Sequence, residues 1–180
     1  MNGGEPDTSA ANGHSRIAGA LAVTALLAGM LAACGQGFPV DPDGTLESIR
    51  SSGELRAGAS HNPPQVVHPS ESSGGPTGTE VELVEAYARH LGARVEWTIA
   101  SETALMEKLE EGELDLAVAG LRTDSVWADT AGLTRAYAQE SAPDGTTLNR
   151  VIATPLGENA LMVDLERWFD SYEGRADGRG

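Results

Sequence analysis

Residues 112–123 read GELDLAVAGLRT. A turn glycine, Gly112, leads into an apolar run, and from Leu114 to Ala119 only Asp115 interrupts it. A short apolar run bounded by turn signals is the pattern of a strand buried on both faces. The run ends in Gly120-Leu121-Arg122-Thr123, a glycine followed by hydrogen-bonding groups. An ordinary turn closing the strand accounts for this ending. So does a site where a ligand approaches the backbone at Gly120 and takes hydrogen bonds from Arg122 and Thr123. Both readings stand at this point.

The segments before this strand alternate in period. TLESIRSSG (Thr45–Gly53) predicts a short helix capped by Thr45 and stopped by Gly53. ELRAGAS (Glu54–Ser60) predicts a strand. Residues 61–78, HNPPQVVHPSESSGGPTG, are full of breakers, and a loop of that length in a compact domain is functional or mobile. Thr79 and Glu82 have capping-box spacing. Val84, Tyr87, Ala88 and Leu91 then recur at helical intervals up to Gly92. RVEWTI (Arg94–Ile99) predicts a strand, and Ser101 opens a helix with Leu105, Met106 and Leu109 on one face. The order β-α-β-α-β with short connections predicts an α/β fold with right-handed crossovers and a parallel sheet. Downstream, Asp124–Asp129 predicts a helical turn, Ala131–Tyr137 an extended segment, and 138–149 a loop. Arg150–Pro155 predicts a further strand. The last helix carries Leu161, Leu165, Trp168 and Phe169 on its apolar face.

The chain has 180 residues, enough for one domain with its own core. Its net charge of −15 argues against a nucleic-acid or anionic-membrane surface, both of which repel it. Aromatics are too few for a base-stacking platform. The single cysteine, Cys34, excludes an intramolecular disulfide. It follows the apolar stretch Ile17–Leu31, which is short for a spanning helix and suits a signal-peptide core. Leu-Ala-Ala-Cys at 31–34 resembles a bacterial lipobox. That resemblance implies a lipoprotein signal peptide over 1–33 and a lipid on Cys34. A Gly-, Pro- and Asp-rich tether follows over 34–44, then a domain over 45–173 and a disordered tail over 174–180. The domain would then sit outside the cytoplasm, anchored to the membrane in the periplasm or at the cell surface. A plain membrane anchor with a chance cysteine is the alternative.

Four segments in order, TLESIRSSGELRAGAS, GTEVELVEAYARHLGARVEW, LMEKLEEGELDLAVAGL and LTRAY, resemble the first lobe of family 3 extracellular solute-binding proteins, the receptors of polar amino-acid ABC importers. The resemblance covers about Thr45 to Tyr137. It implies a single periplasmic-binding-protein-like lobe, a mostly parallel sheet flanked by helices. The ligand crevice of such a sheet lies at the C-terminal ends of its first and third strands. The exits of those strands here are Ser60–Gln65 and Gly120–Thr123. The implied ligand-binding residues are Asn62, Gln65, Gly120, Leu121, Arg122, Thr123 and Trp127.

Family members usually run Gly-x-Thr-x-Thr-x-x-Arg after this strand, with the arginine clamping the ligand carboxylate. Here Trp127 holds the arginine position and Arg122 the place of the first threonine. Trp127 either lines the cleft or fills the core, and core is the usual fate of a lone tryptophan. After Tyr137 only 43 residues remain, too few for a second lobe of about 100 residues, so a one-lobed relative is expected.

The function implied is binding of a small polar solute, an amino acid or organic acid, in partnership with an ABC permease and without a cofactor. A one-lobed interaction or sensor lipoprotein is the alternative. An enzyme is the third reading, because this fold also hosts dehydratases and is fused to some murein-cleaving enzymes. His61 and His68 flank the Pro-rich loop, but their spacing fits no metal pattern, so no metal is expected. No Gly-x-Ser-x-Gly elbow and no Gly-rich phosphate loop occur. If Cys34 is lipidated, Cys34→Ser moves the protein from the membrane to the soluble fraction. Unchanged membrane fractionation of that variant contradicts the lipoprotein reading.

Overall fold

The computed structural model describes Gly3, residues 42–68 and residues 74–176. The chain divides into two units, Met1–Phe38 and Pro39–Gly180. The expected signal peptide, Cys34, the tether up to residue 41 and the tail from residue 177 lie outside the described residues.

The first helix, α1 (Thr45–Ser52), buries Leu46 and Ile49 and closes at Gly53. It leads into β1 (Glu54–Ala59). Helix α2 (Thr79–Leu91) closes at Gly92, and β2 (Arg94–Ile99) follows. Ser101 caps α3 (Glu102–Glu110), accepting from the Ala104 N–H, and β3 (Leu116–Val118) is next. A single 3-10 turn at Val126–Asp129 precedes β4 (Gly132–Leu133). Strands β5 (Ala138–Ser141), β6 (Thr147–Arg150) and β7 (Ala153–Thr154) lead to α4 (Asn159–Ala176).

The expected β-α-β-α-β order is present. Strand β1 lies between β2 and β3 and is parallel to both, in the sheet order β2-β1-β3-β7-β4. Strand β7 runs against both its neighbours, β3 and β4, so the sheet is mixed. The pleat sorts the side chains. Leu55, Ala57 and Ala59 of β1, with Leu116 and Val118 of β3, face α1, α2 and α4. Ala117 faces the other way, toward Leu105, Met106 and Leu109 of α3. Helices therefore cover both faces, and the parallel strands can be apolar throughout.

Two expected caps are absent, and the chain replaces both from a distance. Thr45 lies inside α1, behind Gly44. The buried carboxylate of Glu158 takes its place, accepting from the N–H groups of Asp43 (3.2 Å) and Thr45 (3.3 Å). Thr79 and Glu82 form no capping box, since α2 starts behind Gly78 without a side-chain cap. The carbonyl of Gln65 accepts the Glu80 N–H instead, at 3.1 Å. A Cβ at Gly78 would stand 2.4 Å from that carbonyl oxygen, so the loop leaving β1 reaches the helix only because residue 78 is glycine.

The segment read as a loop, residues 138–149, is mostly an antiparallel hairpin of β5 and β6, with Ala138 opposite Arg150. Arg150–Pro155 is not one strand. Arg150 ends β6, and only Ala153–Thr154 join the main sheet. Asp115, the one polar residue in the opening run, is buried against β1. It accepts from the Arg56 backbone N–H at 2.8 Å and from the Arg56 guanidinium. Helix α4 buries all four expected apolar residues and continues past Gly174 to Ala176. Asp164 of α4 accepts from Tyr87 of α2 (2.9 Å) and Arg50 of α1 (2.8 Å), which ties the three helices of this face together.

Candidate functional site

In an open sheet of this kind, strand order reverses where successive crossovers leave on opposite faces. Here that point lies between β1 and β3, because α2 connects β1 to β2 on one face and α3 connects β2 to β3 on the other. Their C-terminal exits, residues 60–67 and 119–123, converge there. Asn62 ties them together, its Nδ2 donating to the Ala119 carbonyl at 2.7 Å. Gly120 sits in the left-handed region at φ 64°, and a Cβ there would stand 2.5 Å from Asn62 Nδ2. Any other residue would meet both a strained backbone and the Asn62 amide.

Between the exits lies a network of charged and polar side chains. Glu80, in the first turn of α2, has no exposed surface. Its carboxylate accepts from the Gly120 N–H at 2.8 Å and from the Tyr137 hydroxyl at 2.6 Å. The Gly120 carbonyl accepts from Arg150 Nη1 at 2.7 Å. The Nε and Nη2 atoms of Arg150 both donate to Glu140 Oε2, at 3.0 and 2.7 Å. Gln65, almost wholly buried, donates from Nε2 to Glu140 Oε1 at 3.0 Å. The hairpin is thus clamped to both strand exits, through Gln65 to β1 and through Gly120 to β3. Main-chain bonds extend the second clamp: Thr123 N–H donates to Asn149 O at 3.1 Å, and Val151 N–H to Leu121 O at 3.1 Å.

The electrostatics follow from burial. Desolvation raises the Glu80 carboxyl above its ordinary pKa of 4.5, against the hydrogen bonds from Tyr137 and Gly120 and the attraction of Arg150. Glu140 is lowered, chiefly by its hydrogen bond to Arg150. Burial and the neighbouring Glu80 carboxylate push the Tyr137 hydroxyl up, so it acts as a donor.

The residues expected to bind ligand divide into two groups. Asn62, Gln65 and Gly120 converge at the crevice, yet the side-chain amide N–H groups of Asn62 and Gln65 and the N–H and carbonyl of Gly120 are already bonded within the chain. Leu121 is buried and contributes backbone. Arg122 and Thr123 are exposed at the rim, with Arg122 paired to Asp124 at 3.0 Å. Trp127 is half-buried, packs against the core cluster on the α3 face and donates its indole N–H to Glu102. Sequence reasoning missed Glu80, Tyr137, Glu140 and Arg150. Glu80 lies between the two residues, Thr79 and Glu82, that suggested a capping box, and the other three lie in segments read as extended chain, loop and strand.

A separate concavity of about 490 Å³ opens at the opposite pole, near the N-terminal ends of β1 and β3, lined by Arg56, Glu110, Gly112, Asp129, Leu156 and Glu158 among others. Arg56 is committed there to Asp115 and the Gly112 carbonyl, and Glu158 to the start of α1. It lies away from the switch point.

Residues 55–143 match bacterial extracellular solute-binding proteins, family 3. The chain carries a family 3 solute-binding domain. Its fold is that of one lobe. It aligns with domain 1 of the arginine-binding protein of T. maritima, in arginine-bound form, with a TM-score of 0.61 and 20% identity. That match covers 69% of this chain and 97% of the other. An ancestral cationic amino acid solute-binding protein aligns with a TM-score of 0.63 at 14% identity, covering 75% of this chain and 95% of that one. Membrane-bound lytic murein transglycosylase F of Vibrio cholerae is 36% identical over 105 residues, which is 56% of this chain and 19% of the relative. Transglycosylase F 2 of Alkalilimnicola ehrlichii is 53% identical over 45 residues, 24% of this chain and 10% of that protein. The chain therefore spans about a fifth or less of these relatives' length.

The two carboxylates of this solute-binding domain predict opposite pH signatures. Glu80 is raised, so the folded state holds extra proton just above pH 4.5, and the group's contribution to stability falls as pH rises through that window. Glu140 is lowered, so its contribution is present above the ordinary glutamate range and is lost on acidification below 4.5. Urea unfolding across pH, with Glu80→Gln and Glu140→Gln as references, separates the two. The wild-type advantage over Glu140→Gln shrinks in acid, and that over Glu80→Gln shrinks as pH climbs from the carboxylate range.

Proposed function

We propose that this domain is an extracytoplasmic recognition lobe that binds a small polar solute of the amino-acid class at the crevice between the exits of β1 and β3. It acts by binding rather than by catalysis. The observation that carries this reading is the placement of Glu140. Its side chain is 40% exposed, and Gln65 and Arg150 fix the carboxylate at the crevice. On the same edge Arg122 holds out a guanidinium that is 46% exposed. A fixed carboxylate and a guanidinium are complementary to the ammonium and carboxylate of an amino acid.

The arginine-bound single domain of similar fold supports the idea that one lobe suffices to hold such a solute. A single wall buries less of its ligand than a closed pair, so modest affinity is expected. On this reading Cys34 carries the lipid, the domain works at the outer face of the cell membrane, and an ABC permease receives the solute.

The murein transglycosylase relatives favour a second reading. In it the lobe senses murein-derived fragments as part of a larger cell-wall system. Calorimetric titration of the wild-type chain against amino acids, organic acids and soluble murein fragments separates the two. For the best amino acid, Arg122→Ala and Glu140→Gln each weaken binding by roughly 10- to 100-fold, as loss of one charge-assisted hydrogen bond of about 1.5–3 kcal/mol requires. Trp127→Ala lowers the melting temperature with little change in affinity. Unchanged affinity in both charge variants rejects the crevice as the site, and binding of murein fragments alone favours the sensor reading.

A further inference from the structure

The crevice already holds a guanidinium. Arg150 uses Nε and Nη2 on one carboxylate oxygen of Glu140 and Nη1 on the Gly120 carbonyl, with the buried Glu80 carboxylate contributing attraction from behind. The Arg150 side chain is only 11% exposed. Each acceptor in this cage is held by a further group that does not depend on Arg150. Gln65 holds Glu140, the Glu80 carboxylate holds Gly120 through its backbone N–H, and Tyr137 holds Glu80. The Tyr137 ring packs on Phe169 of the core, with centroids 5.8 Å apart, which anchors that chain of bonds. Asn62 pins the strand exit beside Gly120.

A planar cation has five donors in a fixed fork, and this arrangement answers three of its nitrogens with a carboxylate and a carbonyl. We propose that the crevice is a guanidinium-recognition site whose resident ligand is the chain's own Arg150, supplied by the β5–β6 hairpin. The external ligands it suits are guanidinium compounds, from methylguanidinium to molecules ending in that group. They compete with Arg150 for Glu140 and Gly120. An ammonium ion carries the charge but not the fork, and urea the fork but not the charge. The inference does not require the wild-type protein to bind any free solute, because a tethered occupant excludes weak competitors.

The test uses the full chain in mild detergent, comparing wild type, Arg150→Ala and the double variant Arg150→Ala/Glu140→Gln by thermal melting. Methylguanidinium is the probe, at low millimolar concentration far below denaturing levels. Methylammonium, urea and sodium chloride at matched ionic strength are the controls. Arg150→Ala is expected to melt below wild type and to recover by roughly 3–5 °C at ten times the probe's dissociation constant. Wild type does not respond, and the double variant does not recover. If Arg150→Ala is unfolded in buffer, refolding with methylguanidinium but not with methylammonium supports the site. Equal response to methylammonium, recovery that survives Glu140→Gln, or no response to methylguanidinium overturns it. Wild-type titrations test the solute-binding reading separately: a wild type that binds no solute, beside an Arg150→Ala variant that takes methylguanidinium, keeps this inference and removes the other.

Discussion

The hydrogen bond from the Gly120 N–H to the buried carboxylate of Glu80 organises this end of the molecule. A carboxylate with no exposed surface is costly unless it is paired and hydrogen-bonded. The Gly120 N–H, the Tyr137 hydroxyl and the field of Arg150 offset part of that cost for Glu80, which sits in the first turn of α2, where the helix dipole favours an anion. Fixing Gly120 fixes the exit of β3. The carbonyl of the same residue then orients Arg150, and Arg150 orients Glu140. Parts of the chain far apart in sequence, α2, the β3 exit and the hairpin, are thereby held in one geometry by one buried anion.

That geometry has a functional consequence. In a sheet with this strand order the switch point is the natural place for a ligand. This protein fills most of it with its own side chains. Glu80, Tyr137 and Gln65 are turned inward to hold the wall, while Glu140 and the rim residues Arg122 and Thr123 retain exposure. A polar network this fully satisfied rigidifies its surroundings. Recognition by such a wall depends on a few fixed charges more than on an enclosing pocket, and the hairpin that carries Glu140 and Arg150 decides which charges face outward.

Much of the fold was legible because local signals and burial agreed. RVEWTI became β2 at the expected residues, and Leu105, Met106 and Leu109 became the buried face of α3. The misreadings have a common cause. Thr45 and Thr79–Glu82 look like caps, yet Glu158 and the Gln65 carbonyl reach those helix ends from elsewhere in the chain, which no local window can detect. The hairpin was read as loop because AQESAPDGTTLN is polar on both faces and lacks the alternation that marks a half-buried strand. That error hid Glu140, and Arg150 was hidden as the start of the next expected strand. The strand exits Ser60–Gln65 and Gly120–Thr123 were expected from the family pattern and do meet. What the pattern did not convey is that the chain itself occupies them.

Amide hydrogen exchange at Gly120 in the ligand-free protein tests the central interaction most directly. If Glu80 holds the crevice together, the Gly120 amide exchanges as slowly as the hydrogen-bonded amide of Ser60, which donates to Val118 O at 3.0 Å, despite lying beyond the end of β3. An amide at Gly120 that exchanges as fast as an unprotected exposed loop amide would contradict the Glu80 clamp and the geometry of Arg150 and Glu140 that rests on it.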